Sequence, residues 1–196
     1  MVSNLPPNGY RTRKTLIAEG ALSLLSKHGS HGLTHRAVDA LLELPAGSTS
    51  YYFSSRLALL CAAADCLFEQ DRTDVLTFWD RDGELDVKAL VNAWSSPPWH
   101  PRLLARLELC LEAARNPQMQ QHLLSQREFY RNELYAMMER RGNDDPLKAA
   151  DQELALAAGE LLHKAVFDMQ PATQQQTRRK TTGPETRPKG NSSKQY

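Results

Sequence analysis

Between residues 33 and 56 the chain places hydrogen-bonding and cationic side chains at spacings suited to binding rather than to bond-making. They are Thr34, Arg36, Ala46, Gly47, Ser48, Ser50, Tyr51, Tyr52 and Arg56. Serine hydroxyls can pair with base edges or phosphates, an alanine methyl can touch a thymine methyl, and tyrosine hydroxyls and arginines can reach phosphates. A glycine lets the backbone approach closely. Three motifs of bond-making chemistry do not occur: there is no G-x-S-x-G, no glycine-rich phosphate loop and no H-E-x-x-H. His28, His31 and His35 cluster around a glycine turn without acidic neighbours, which reads as a structural or surface role and not as metal binding. Cys61, Cys66 and Cys110 lie within helical patterns at no metal-ligand spacing, so reduced thiols are expected, with no metal and no cofactor. Glu108 and Glu112 share a helix face as an i, i+4 acidic pair, expected to be solvated.

Two short helices must carry the binding set. Ala37, Val38, Leu41 and Leu42 recur at helical spacing, Thr34 is a good N-cap, and the first helix runs out near Glu43. Leu44-Pro45 makes a break, and a second helix is expected over residues 46–52. At about 100° per residue, Thr49 and Phe53 point inward with Tyr52 at their edge. Gly47, Ser48 and Tyr51 then point outward, flanked by Ala46 and Ser50. Neither helix is long enough to be stable alone. A helix-turn-helix that presents the second helix to a DNA groove accounts for this composition, with Arg36 beside the backbone at the first helix's N-terminus. A preceding helix over residues 11–28 has Leu16, Ile17, Ala21, Leu24 and Leu25 as its buried stripe and Gly29 as its terminator. Arg11, Arg13 and Lys14 crowd its first turns, the wrong end for the helix dipole, so a phosphate backbone is expected nearby.

The arrangement helix, H-G-x-x-G-L-T, short helix, L-P-x-G-S-T-S-Y-Y-F, S-S-R and long helix resembles the DNA-binding domain of tetracycline-repressor-type (TetR family) regulators. That family's core of G-[ST]-[LT]-x-x-[YH]-F before a basic residue is matched by Gly47, Ser48, Thr49, Tyr52, Phe53 and Arg56. The likeness covers about residues 11–66. Thr49 stands where the family more often has a buried Leu, and Ser50 where it often has an aromatic. The resemblance implies an all-α protein with a three-helix DNA-binding head and a helical second domain that binds an effector and dimerises.

Length and charge agree with such a division. The 196 residues carry 24 Lys+Arg against 23 Asp+Glu, unevenly spread. Residues 1–56 have six basic against three acidic side chains, residues 57–170 twelve against nineteen, and residues 171–196 six against one. A polyanion partner therefore suits the ends and not the acidic middle. No apolar run approaches the ~18–20 residues of a membrane span, and the polar, Pro-rich residues 1–9 do not read as a signal peptide, so a bacterial cytoplasmic protein is expected. The domains expected are a head over 1–56, a regulatory and dimerisation body over 57–169 joined to it by a helix over about 55–79, and a disordered basic tail over 170–196. Body helices are expected over 87–94, 102–115, 117–141 and 147–169. Trp94, Trp99, Cys110, Met119 and Phe129 are candidates for an effector cavity, with the loop SSPPWHP at its mouth. Leu154, Ala158, Leu161 and Ala165 form a stripe with small residues suited to a homodimer. The function expected is a ligand-responsive repressor that binds a palindromic double-stranded DNA operator as a homodimer. Its rivals are a helical binding or enzymatic bundle with a purely structural helix-turn-helix, and a scaffold that binds protein through the exposed tyrosines.

Overall fold

The computed structural model describes residues 12–168; the expectations for Arg11, Met169, the lead-in and the basic tail fall outside it. Eight α-helices account for most of that span: α1 (Arg13–Gly32), α2 (His35–Leu41), α3 (Ser48–Tyr52), α4 (Arg56–Val75), α5 (Val87–Trp94), α6 (His100–Ala113), α7 (Pro117–Arg140) and α8 (Pro146–His163). Among the described residues, β structure is limited to one isolated bridge between Trp79 and Leu85. The helix starts follow local chemistry. Thr12, Thr34, Ser55, Asp86, Asn116 and Asp145 each accept a hydrogen bond from a first-turn backbone N–H, and Pro117 and Pro146 occupy first-turn positions where no N–H is needed. No described helix is long and apolar enough to cross a membrane.

Two cores organise the molecule. The first joins Ile17, Leu25, Leu33, Val38 and Phe53 of the α1–α3 head to Leu59, Leu60 and Leu67 of α4. It continues into Ala105, Leu109 and Met119, so α6 and the start of α7 close the head from behind. The second gathers Val75, Leu90, Trp94, Leu103, Leu134, Met137 and Leu161 from α4 to α8. The long connecting helix thus contributes to both cores. α4 ends earlier than its pattern implies: after Val75 the chain tightens into a 3-10 turn, Leu76–Phe78. α8 likewise gives way to a π turn, Lys164–Asp168.

Candidate functional site

α3 has five residues, too few to hold their own conformation, so tertiary contacts must fix it. Asp39 on α2 supplies them. Its buried carboxylate accepts from Gly47 N at 2.8 Å, Thr49 N at 2.8 Å and Thr49 Oγ1 at 2.6 Å. The Thr49 hydroxyl and these backbone N–H groups hold the Asp39 carboxyl below the usual carboxylate range, against the opposing effect of burial. Thr49 is therefore the buried half of a polar clamp. Sequence reading missed Asp39; the signal available was an acid on the helix just before a Pro-Ala-Gly break. At the other end of α3, His35 Nε2 lies 2.7 Å from the Phe53 carbonyl, which accepts the ring N–H. The structural role expected for this histidine holds.

The helix begins at Ser48, two residues later than its pattern implies, because Gly47 adopts φ +90°. Only glycine takes that conformation without strain, and it aims the Gly47 N–H back at Asp39. Thr49 and Phe53 point inward as expected, and Tyr51 stands 85% exposed. Its ring meets Tyr52 edge to face at 5.2 Å, which orients both rings on the outer surface. Thr34, Arg36, Ala46, Gly47 and Ser50 are exposed with them. Ser48 is half-buried and donates its hydroxyl to the Pro45 carbonyl, leaving its oxygen lone pairs to accept, while Ser50 donates to Gly47 O. Thr34 Oγ1 is engaged as the α2 cap. Lys14 Nζ lies 5.8 Å from the Phe53 ring centroid, which brings an α1 cation to the end of α3.

Arg56 departs from its expected role. Its guanidinium donates to both carboxylate oxygens of Glu112, at 2.9 and 3.3 Å, and to the Ser30 carbonyl at 2.7 Å. Glu108 Oε2 accepts from Ser30 N at 2.9 Å. The α6 carboxylates are thus a latch on the head and not a solvated pair. The α1 kink at Gly29 makes the latch possible: φ is +65° there, and a Cβ would stand 3.1 Å from Glu108 Oε1. Arg56 holds the Glu112 carboxyl below its ordinary range.

The body contains two adjoining cavities, of about 310 Å³ beside α4 and about 190 Å³ beside α5, with Arg106, Cys110, Tyr130, Leu154 and Ala158 lining both. Of the expected ligand residues, Cys110 lines both cavities and Trp94 the α5-side one. Phe129 lies behind the wall, edge-on to Phe68 and Tyr130. Met119 is buried in the first core, 3.9 Å from Cys61 Sγ, and Trp99 packs against the second core; neither lines these cavities. Sequence reading missed Asp71 and Arg106, an ion pair at 2.6 Å. A charged side chain on a helix otherwise reads as solvated, and only tertiary packing reveals its burial.

Of the α8 stripe expected to form a dimer, only Leu161 is fully buried; Leu154 is half-buried and Ala158 is exposed. Leu154 and Ala158 line the cavities, Leu161 is buried in the second core, and Ala165 packs against that core. One helical step away, Leu156, Leu162, Val166 and Phe167 are exposed, with open space over Gly159.

A sequence profile described as "Tetracyclin repressor-like, C-terminal domain" matches residues 86–183. Among solved structures, a transcriptional regulator from Rhodococcus sp. Rha1 superposes with a TM-score of 0.70 at 18% identity, covering 80% of this chain and 86% of that one. The multidrug binding protein EbrR complexed with malachite green gives 0.65 at 23% identity, with 88% and 97% covered. The protein SCO7518 from Streptomyces coelicolor A3(2) gives 0.65 at 25% identity, with 88% and 100% covered. No curated protein matches the sequence.

Proposed function

Because the chain belongs to the tetracyclin repressor-like family of transcription regulators, we propose that it is a ligand-responsive repressor that binds a palindromic double-stranded DNA operator as a homodimer. The observation that carries this reading is the exposed arc of α3, held in place by a buried carboxylate. A five-residue helix clamped by Asp39, with Tyr51 bare on its outer side, has more order than packing alone requires. On DNA, Ala46, Gly47, Ser48 and Ser50 face base edges, while Tyr51, Tyr52 and Arg36 reach phosphates. Arg56 serves the latch to α6. A single head offers few base contacts, so two copies place two heads about one DNA turn (~34 Å) apart.

The outward face of α8 and the π turn after it, with Leu156, Gly159, Leu162 and Val166, forms the dimer contact. Gly159, with open space over it, lets two helices approach closely, as in a four-helix bundle. The paired cavities hold the effector. It acts by favouring one spacing of the heads, through α4 and through the α6 carboxylates that grip Ser30 and Arg56. Operator selection from a random DNA pool, followed by gel shift with genomic fragments, tests this reading. Saturable, salt-sensitive and sequence-selective retardation supports it. Binding that does not discriminate between sequences, or no binding, refutes it in favour of a bundle whose helix-turn-helix is only structural.

A further inference from the structure

Four buried polar atoms where the two cavities adjoin have no hydrogen-bond partner among the described residues: Asp71 Oδ1, Arg106 Nε, Trp94 Nε1 and Tyr130 Oη. Buried polar groups are nearly always paired, so four orphans around one site point to a guest that pairs them. Arg106 and Tyr130 line both cavities, Asp71 the α4-side one and Trp94 the α5-side one. The Arg106 guanidinium also stacks on the Trp94 ring, 4.2 Å from its centroid.

The chemistry of the orphans narrows the guest. Arg106 Nε and Trp94 Nε1 can only donate, Tyr130 Oη can donate, and Asp71 Oδ1 accepts, so donors outnumber acceptors. Burial, with Asp71 adding to it, pushes the Tyr130 phenol well up, so it keeps its proton. The ionic groups already balance: Arg106 pairs with Asp71, and Arg102 pairs with Asp74 and lies 3.8 Å from Asp71. An entering carboxylate would add a second negative charge beside Asp71. An entering ammonium would face two guanidinium groups and add donors where donors are already in excess. Elsewhere the walls are mainly apolar and aromatic, including Leu67, Phe68, Leu90 and Leu134; Gln120, Gln126 and Arg127 lie on the α4 side, where Arg127 pairs with Asp151.

Resting on the reading of these cavities as the effector site, we propose that the effector is an uncharged, ring-containing, largely apolar molecule. It carries carbonyl-type oxygens that accept from Tyr130, Arg106 and Trp94. Glu133 also lines the α5-side cavity, so a cationic probe is the strictest comparison.

The test titrates the full chain, without DNA, with a matched set: 9-acetylanthracene, anthracene, 9-anthracenecarboxylate and 9-(methylaminomethyl)anthracene. The acetyl compound should bind about tenfold more tightly than the other three, the factor one well-made hydrogen bond supplies. Tyr130→Phe keeps the ring and removes the donor, whereas Trp94→Phe removes its donor together with part of the indole. Each should lower affinity for the acetyl compound more than affinity for anthracene, so the preference falls, while far-ultraviolet circular dichroism stays native. The proposal is overturned if the carboxylate or the ammonium binds best, if anthracene matches the ketone, if none of the four binds, or if both variants keep the preference. Operator retardation is measured separately. Its absence, with the ketone preference intact, refutes the DNA-binding reading and leaves the ligand assignment standing.

Discussion

Replacing Asp39 by asparagine tests whether the clamp, and not intrinsic helix propensity, orders α3. In Asp39→Asn the amide oxygen can still accept from Thr49, but its NH2 group comes to face Gly47 N, where a carboxylate oxygen now accepts at 2.8 Å. One hydrogen bond to a charged acceptor is lost outright, worth about 1.5–3 kcal/mol, and the bonds from Thr49 weaken on losing their ionised partner. Relief from burying the charge offsets part of this, leaving a net cost of about 2–3 kcal/mol. For a chain of this size that lowers the melting temperature by roughly 4–12 °C. Amide hydrogen exchange reports the local effect, since the Gly47 and Thr49 N–H groups both donate to Asp39; both should exchange faster, and operator affinity should fall with them. The folded carboxyl is held below its ordinary value, so its stabilisation is complete above that value, near pH ~4. It is lost as pH falls through the depressed folded value, and Asp39→Asn should lack this acid-side loss. A variant with native melting temperature, native exchange at Gly47 and Thr49, and native operator affinity would refute the clamp argument.

Other substitutions separate the remaining roles. Tyr51→Ala or Arg36→Ala should weaken binding to all DNA sequences alike, whereas Ser48→Ala should change preference at one base position by about 1–3 kcal/mol, measured by competition titration. Arg56→Gln should leave the salt dependence of DNA binding unchanged and should match Glu112→Gln in effect. The exposed half of that pair limits its contribution to below about 1 kcal/mol, and a salt slope reduced by about one unit in Arg56→Gln alone would instead place Arg56 on a phosphate. Leu162→Glu, at a side chain 50% exposed, should give a folded monomer by sedimentation with weak operator binding. Leu161→Glu, at a position 5% exposed, should destabilise the body itself by burying an unpaired charge. A native-like monomer from Leu161→Glu, with Leu162→Glu still dimeric, would reverse the assignment of the α8 faces.

The head was largely legible in the sequence because its determinants are local. Thr34 caps α2, Leu44-Pro45 breaks the chain, and the 100° rotation along residues 46–53 alone separates buried Thr49 and Phe53 from exposed Tyr51. The helices α5 to α8 were legible for the same reason: periodic apolar side chains, asparagine or aspartate caps and first-turn prolines act within a few residues. What the sequence left undecided depends on partners far away in the chain. Asp39 as a clamp needs Thr49, and Glu112 as a latch needs Arg56 and Ser30; each of these acids, read by itself, is an ordinary surface carboxylate. Asp71 and Arg106 as cavity residues need α4, α6 and α7 to converge. The α8 stripe shows the limit most plainly. Periodicity marks Leu154, Leu156, Leu161 and Leu162 alike as apolar, and a rotation of 100° decides whether a residue faces its own core or a second copy. A helix's own sequence does not contain that choice. It is made by which neighbouring helices pack against each face and exclude water there, and those are specified elsewhere in the chain.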